Sequence, residues 1–251
     1  MILFPFTLRS KPRTIGVTMV MDKGLGLNRF QDLLEIAASY IDFIKLGFGT
    51  LLLTPEKVVR EKLRLCQNHQ IHLYPGGTLF EYAYIQNQVE AYFQMLKNLG
   101  FAWVEISDGV ISLSLSQRKQ MIQTARQYEL NVITEIGKKN AGSHIHLHTL
   151  QNLYVWDRDS GAEYVILEAR ETGLNIGIYD EKGNIMDPYR KFIQSAELKH
   201  LIWEAPLKTQ QVELIQLIGQ NVNIGNIAPD DILSVEALRL GLRADTLIMG
   251  G

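Results

Sequence analysis

Short runs of apolar, often β-branched residues alternate along the chain with longer stretches in which apolar residues recur every three to four positions. The short runs predict strands at Thr14–Val20, Ile41–Leu46, Ile71–Tyr74, Trp103–Ser107, Asn131–Ile136, Tyr164–Ala169, Leu201–Glu204 and Val222–Ile224. The longer stretches predict helices at Asn28–Ser39, Pro55–His69, Leu79–Leu99, Ser116–Tyr128, Leu150–Ser160, Pro188–Ala196, Thr209–Ile218 and Pro229–Leu240. Eight strands alternating with eight helices predict an α/β fold: a (β/α)8 barrel of the TIM type, with eight parallel strands. The strands read as nearly unbroken apolar runs, as strands covered on both faces should. The expectation is one barrel domain over residues 1–251, with 1–12 as an N-terminal extension.

Local punctuation agrees with this division. Thr54-Pro55 and Asp187-Pro188 set a capping residue before a proline at a predicted first helical turn. Gly100, Gly161, Gly219 and Gly241 each follow a predicted helix, where a left-handed C-cap is expected. The stretch Thr172–Met186, which carries Gly and Asn, is predicted to be a loop over the sixth strand. The alternative is an open, doubly wound sheet. It would want a Gly-x-Gly-x-x-Gly turn after the first strand, which is missing.

Charge narrows the functional classes. With 25 basic and 27 acidic residues, net −2, the chain lacks the basic footprint of a nucleic-acid binder. Cys66 is the single cysteine, so neither an intramolecular disulfide nor a thiolate cluster can form, and a packed thiol is expected there. The opening MILFPFTLRSKPR puts apolar residues before basic ones, the reverse of a secretory signal, and no run is long enough to span a membrane. A cytoplasmic location without membrane contact is expected.

The informative charges lie inside the strands. Glu105, Glu135, Glu168 and Glu204 interrupt four successive apolar runs, and Lys45 does so in the second. A strand carboxylate in a barrel is tolerated where it points to the mouth and finds a partner. Two carboxylates about 4 Å apart repel by roughly 4 kcal/mol at an effective dielectric near 20, so cations or protons must relieve the crowding. All-oxygen ligands favour magnesium over zinc. The alternative is an interior ion-pair network with Lys45, Lys138 and Arg170. His144, His146 and His148 have a metal-like spacing, but they fall at a predicted loop or helix start and read as a solvated segment.

Two turns are suited to an anion. Pro75-Gly76-Gly77-Thr78 leaves the third strand and opens a helix, whose first N–H groups are free. Ile224-Gly225-Asn226-Ile227 follows the eighth strand, a usual phosphate position in barrels. With Lys23, Arg170 and Lys208 predicted on the same face, a phosphorylated anionic substrate is expected.

The strand-end motifs DKGLG, DFIKLGFGT, YPGGTLFE, VEISDG, EIGKK, EARETG, EAPLKTQQ and NVNIGNI, then LRLGLRADTL, occur in order from about Lys11 to Leu247. Together they resemble the phosphosulfolactate synthase family. The resemblance implies a magnesium-dependent carbon–sulfur lyase that adds sulfite reversibly to phosphoenolpyruvate, giving (2R)-phospho-3-sulfolactate for coenzyme M synthesis or sulfolactate formation. On that reading Glu105, Asp108, Glu135 and Glu168 form the metal ligand pool. Lys138, or else Lys45, donates the proton to C2. Arg170 and Lys23 take the sulfite and carboxylate, and Gly76, Gly77, Lys208, Gly225 and Asn226 hold the phosphate. Asp22 and Glu204 orient lysines. A homo-oligomer is expected, with Tyr82, Tyr84, Tyr92, Phe93 and Trp156 as interface or core residues. Two other readings remain: a non-catalytic, heat-stress-associated barrel protein similar to the family, and a barrel aldolase or lyase acting on another phosphorylated enol.

Overall fold

The computed structural model describes residues 9–247, apart from 139, 141, 196 and 197 and the side chain of Ser195. The predicted helix end at Ala196 and residues 1–8 of the expected extension lie outside the described residues. Strands β1 (Thr18–Asp22), β2 (Phe43–Leu46), β3 (His72–Pro75), β4 (Trp103–Ile106), β5 (Asn131–Ile136), β6 (Tyr164–Leu167), β7 (Leu201–Glu204) and β8 (Ile224–Ile227) form one parallel sheet. Its order is β3-β2-β1-β8-β7-β6-β5-β4. The sheet curls until β3 and β4, its two ends, lie side by side, which makes the (β/α)8 barrel.

Helices α1 (Leu27–Ala37), α2 (Thr50–Leu53), α3 (Glu56–Asn68), α4 (Thr78–Ile85), α5 (Val89–Leu99), α6 (Leu115–Gln127), α7 (Leu147–Ser160), α8 (Asp187–Ser195), α9 (Lys208–Ile218) and α10 (Ile232–Arg239) surround it. Among the described residues no helix is long and apolar enough to cross a membrane. Three predictions are corrected. The stretch Leu79–Leu99 is two helices, because Asn87 turns left-handed (φ 55°) between them. The break folds α5 back so that the rings of Phe80 and Phe93 stack with centroids 6.3 Å apart. Thr54 does not cap α3; its hydroxyl donates back to the Thr50 carbonyl at the end of α2 (2.8 Å). The last predicted helix starts later, at Ile232, after a 3-10 turn at Pro229–Asp231.

Period-two alternation divides each strand between two cores. Outward residues such as Val20, Ile44, Leu73, Val104, Val132, Val165 and Leu201 pack under the helices. Inward residues Met19, Phe43, Tyr74, Trp103, Ile133, Tyr164, Ile166 and Ile202 fill the barrel axis. At the N-terminal end this filling is aromatic, with Phe43 edge-on to Trp103 (5.1 Å) and to Tyr164 (5.3 Å). The cylinder is therefore plugged from below and open only above.

Gly225 belongs to this interior and not to a phosphate cradle. A Cβ there would lie 2.7 Å from Met19 Cε and 2.8 Å from Ile202 Cγ2. Of the aromatic set, Tyr92 and Phe93 are buried, whereas Tyr82 is 58% exposed and Trp156 37%. Cys66 is buried, and desolvation pushes its thiol up to about 12, as a packed thiol requires.

Gly225→Ala should overpack the axis. We expect a loss of about 1–3 kcal/mol in urea-denaturation stability with the secondary structure retained.

Candidate active site

Along five of the eight strands the next inward position, one layer above the apolar filling, carries charge. It comprises Lys45 (β2), Glu105 (β4), Glu135 (β5), Glu168 (just beyond β6) and Glu204 (β7), all buried. Lys45 stands among three of the carboxylates. Its Nζ lies 3.0 Å from Glu105 Oε2, 2.9 Å from Glu135 Oε2 and 3.5 Å from Glu204 Oε1. Burial works against the ammonium, but Glu105, Glu135 and Glu204 outweigh it and hold its pKa well above the ordinary lysine value. The hydroxyl of Tyr74 lies beneath this layer with no hydrogen-bond partner among the described residues. Burial, then the Glu105 charge, keeps it neutral.

Other carboxylate contacts reach the backbone of the mouth. Glu105 Oε1 accepts the Gly77 N–H (2.6 Å). Glu168 Oε1 accepts from the Arg170 N–H (2.6 Å), and Glu204 Oε2 from the Ala169 N–H (3.0 Å). Asn226 Nδ2 donates to the Arg170 carbonyl (2.8 Å) and reaches Glu204 Oε2 at 3.4 Å. Arg170 and Asn226 are both left-handed, at φ 57°, which marks the rim as strained backbone held by its surroundings. The Thr172–Met186 loop covers this side, where the buried Tyr179 donates its hydroxyl to the Glu204 carbonyl (2.8 Å).

Above the charged layer opens a cavity of about 400 Å³. Its walls include Lys45, Gly76, Gly77, Thr78, Arg170 and Asn226 with all four glutamates. Glu135, Glu168 and Glu204 bring carboxylate oxygens within 4.8 Å of one another, a three-carboxylate group able to hold a cation.

The structure separates other predicted residues from this group. Asp108 lies outside it, bound by Arg118 Nη1 (3.1 Å), whereas Glu204 lies within it. Lys138 turns away from the cavity. Its Nζ donates to the Asp108 and Ile111 carbonyls and lies 3.3 Å from Asp108 Oδ2. Lys208 pairs with Asp245 (2.8 Å) beyond the cavity wall. Lys23 sits at the rim, paired with Glu171 and 5.7 Å above the Phe48 ring. Asp22 does hold a lysine, the buried Lys62 (2.6 Å), on the helix side of the sheet. His144 bonds to Gly177 and Asn175 of the Thr172–Met186 loop, and His148 bonds to Asn152 within α7.

Residues 7–245 match the profile of the (2R)-phospho-3-sulfolactate synthase (ComA) family. The chain belongs to that family. It is 43% identical over 240 residues to the phosphosulfolactate synthase of Methanothermobacter thermautotrophicus, covering 94% of this chain and 93% of that one. The Bacillus subtilis phosphosulfolactate synthase is 37% identical over 248 residues, covering 96% and 95%. Among solved structures, 3-hexulose-6-phosphate synthase from Salmonella typhimurium superposes with a TM-score of 0.56 at 11% identity, over 94% of this chain and 100% of that one. N-acetylneuraminate lyase from Fusobacterium nucleatum gives 0.53 at 10%, over 92% and 76%. At such identities these two share the barrel alone. Membership of the family makes the chain a lyase-type enzyme.

Two residues escaped the sequence reading. Glu81 and Arg118 are buried helix charges that organise the mouth from behind, and only their position on an otherwise apolar helix face could have signalled them. Lys45→Met should remove the ammonium that three buried carboxylates face, costing about 3–5 kcal/mol near neutral pH. Those carboxylates would bind protons more readily folded than unfolded, so the variant's deficit should shrink as pH falls toward the carboxylate range. Melting temperatures from pH 5 to 8 check the sign.

Proposed function

We propose that the chain is a phosphosulfolactate synthase, adding sulfite to C3 of phosphoenolpyruvate with the help of Mg2+ and giving (2R)-phospho-3-sulfolactate. The observation that carries the reading is the layer of four glutamates and one lysine beneath an open mouth. It joins the family membership to a site able to handle an enolic carboxylate. Four carboxylates line one cavity, and an all-oxygen donor set of this kind suits a hard divalent cation such as magnesium. Glu135, Glu168 and Glu204 would hold it. When bound, the ion would stabilise charge building on the substrate carboxylate.

The chain's own groups supply the rest. The sulfite sulfur donates its electron pair to C3, the C2–C3 π pair moves toward C2 and its carboxylate, and a proton then adds at C2. Lys45 is the donor favoured here, because it faces the cavity and its three carboxylates keep it charged. A strongly held proton is still given up to a carbanion, which is far more basic. Lys138 would need to leave three oxygen partners first. The phosphate would lie against Gly76, Gly77 and Thr78 at the start of α4, where the Gly76 and Gly77 N–H groups already go to the Leu46 carbonyl and to Glu105, and the exposed Arg170 guanidinium is a fork for an oxyanion. Lys23 would exchange Glu171 for substrate. A homo-oligomer would have Tyr82 and Trp156 available for contact.

The purified protein, given phosphoenolpyruvate, sulfite and Mg2+, should consume the enol absorbance. EDTA should abolish the loss and added Mg2+ restore it. Undiminished activity in EDTA would remove the metal, and no consumption with Mg2+ would remove the function. Borohydride should trap no Schiff base on Lys45 or Lys138; trapping would favour an aldolase.

A further inference from the structure

We infer that Glu81 is a positioning residue for the reaction, fastening the two sides of the barrel's seam together at the mouth. The sheet order ends on β3 and β4, so the turns leaving these two strands must be held by other bonds. Glu81 lies in the first turn of α4, directly after the Gly76-Gly77 turn, with its N–H on the Gly77 carbonyl (2.9 Å). Its side chain is buried and reaches across to β4. Oε1 accepts from the Ser107 hydroxyl and the Gly109 N–H (3.2 Å), and Oε2 accepts from the N–H groups of Val110 (2.7 Å) and Ile111 (3.0 Å). Successive N–H groups converging on one point form an anion-binding nest, and here the chain's own carboxylate fills it. No substrate can therefore use that nest.

The same clamp fixes the catalytic layer. Gly77 is pressed so closely to β4 that an added Cβ would lie 2.8 Å from Glu105 Oε1. That oxygen accepts the Gly77 N–H, while Glu105 Oε2 faces Lys45. The chain of contacts runs from Glu81 through Ser107 and Gly77 to Glu105 and Lys45. Releasing Glu81 frees the turn that lines the cavity and loosens the carboxylate that aims Lys45. A nearly isosteric Gln in its place turns one acceptor into a donor against the Val110 and Ile111 N–H groups, so the clamp opens with little change of volume.

The inference rests on the synthase reading, and the test separates the two. In Glu81→Gln, amide exchange followed by mass spectrometry should accelerate at least tenfold in residues 108–111 and, across the seam, in residues 76–78. The kcat for phosphoenolpyruvate and sulfite should fall ten- to a hundredfold, with KM changed less than threefold. Glu81→Ala should recover part of its kcat in formate, whose carboxylate fits the vacated nest, whereas a merely destabilised protein would not. Should either variant fail to fold, Ser107→Ala removes one contact and should show the same changes at smaller size. Unchanged exchange at 76–78, or wild-type kcat in a folded variant, overturns the role of Glu81. An inactive wild type overturns the synthase reading, and the exchange result then still decides whether Glu81 clamps the seam.

Discussion

Four carboxylates from neighbouring strands can share one buried layer here because a lysine ammonium stands among them. In water the attraction between such groups is slight; with solvent removed it grows severalfold, and so does the repulsion between the acids. Lys45 touches three glutamates at once and is itself too buried to be charged without them. Neither half of the cluster is tolerable alone. Their mutual dependence sets the level at which the apolar filling of the barrel must stop and the cavity begin.

Much of this was legible because the strands carry the pattern. A glutamate within an apolar, two-sided strand has few places to go, and the four that interrupt successive runs do meet. The fold was legible for the same reason: eight parallel strands with short connections leave little choice of topology. The miss at Leu79–Leu99 arose because α4 and α5 have compatible apolar spacing, and only the left-handed Asn87 divides them. Residues on loops fared worse. Asp108, Lys138 and Lys208 lie next to strand ends in sequence, but their long or polar side chains are free to choose among several oxygens and cations. Adjacency does not determine that choice. Gly225 misled for another reason, since a glycine needed for space inside a barrel has the same letter as one needed by an anion at its rim.

The two ends of the barrel divide stability from function. Below, aromatic rings and Met19 fill the axis with groups that make no chemical demand. Above, several polar contacts join a side chain to the backbone of a different loop: Glu105 to the Gly76-Gly77 turn, Glu204 and Asn226 to the end of β6, Tyr179 to the end of β7. Buried polar groups held in this way keep their geometry through rigid strands, while the loops above them remain free to differ.

Closure of the cylinder at β3 and β4 gives a place to one of the buried helix charges, Glu81. Where backbone ladders join neighbouring strands, register is set by the sheet. At the seam it is set by Glu81, Ser107 and Glu105, and the two carboxylates make charge-assisted bonds as short as 2.6 Å to Gly77 and 2.7 Å to Val110. The seam lies directly beside the glycine turn that lines the cavity. A small shift there moves Glu105 against Lys45, and because Lys45 also faces Glu135 and Glu204, the displacement is shared by the whole layer. Stiffness at the seam is thus a condition of geometry at the centre.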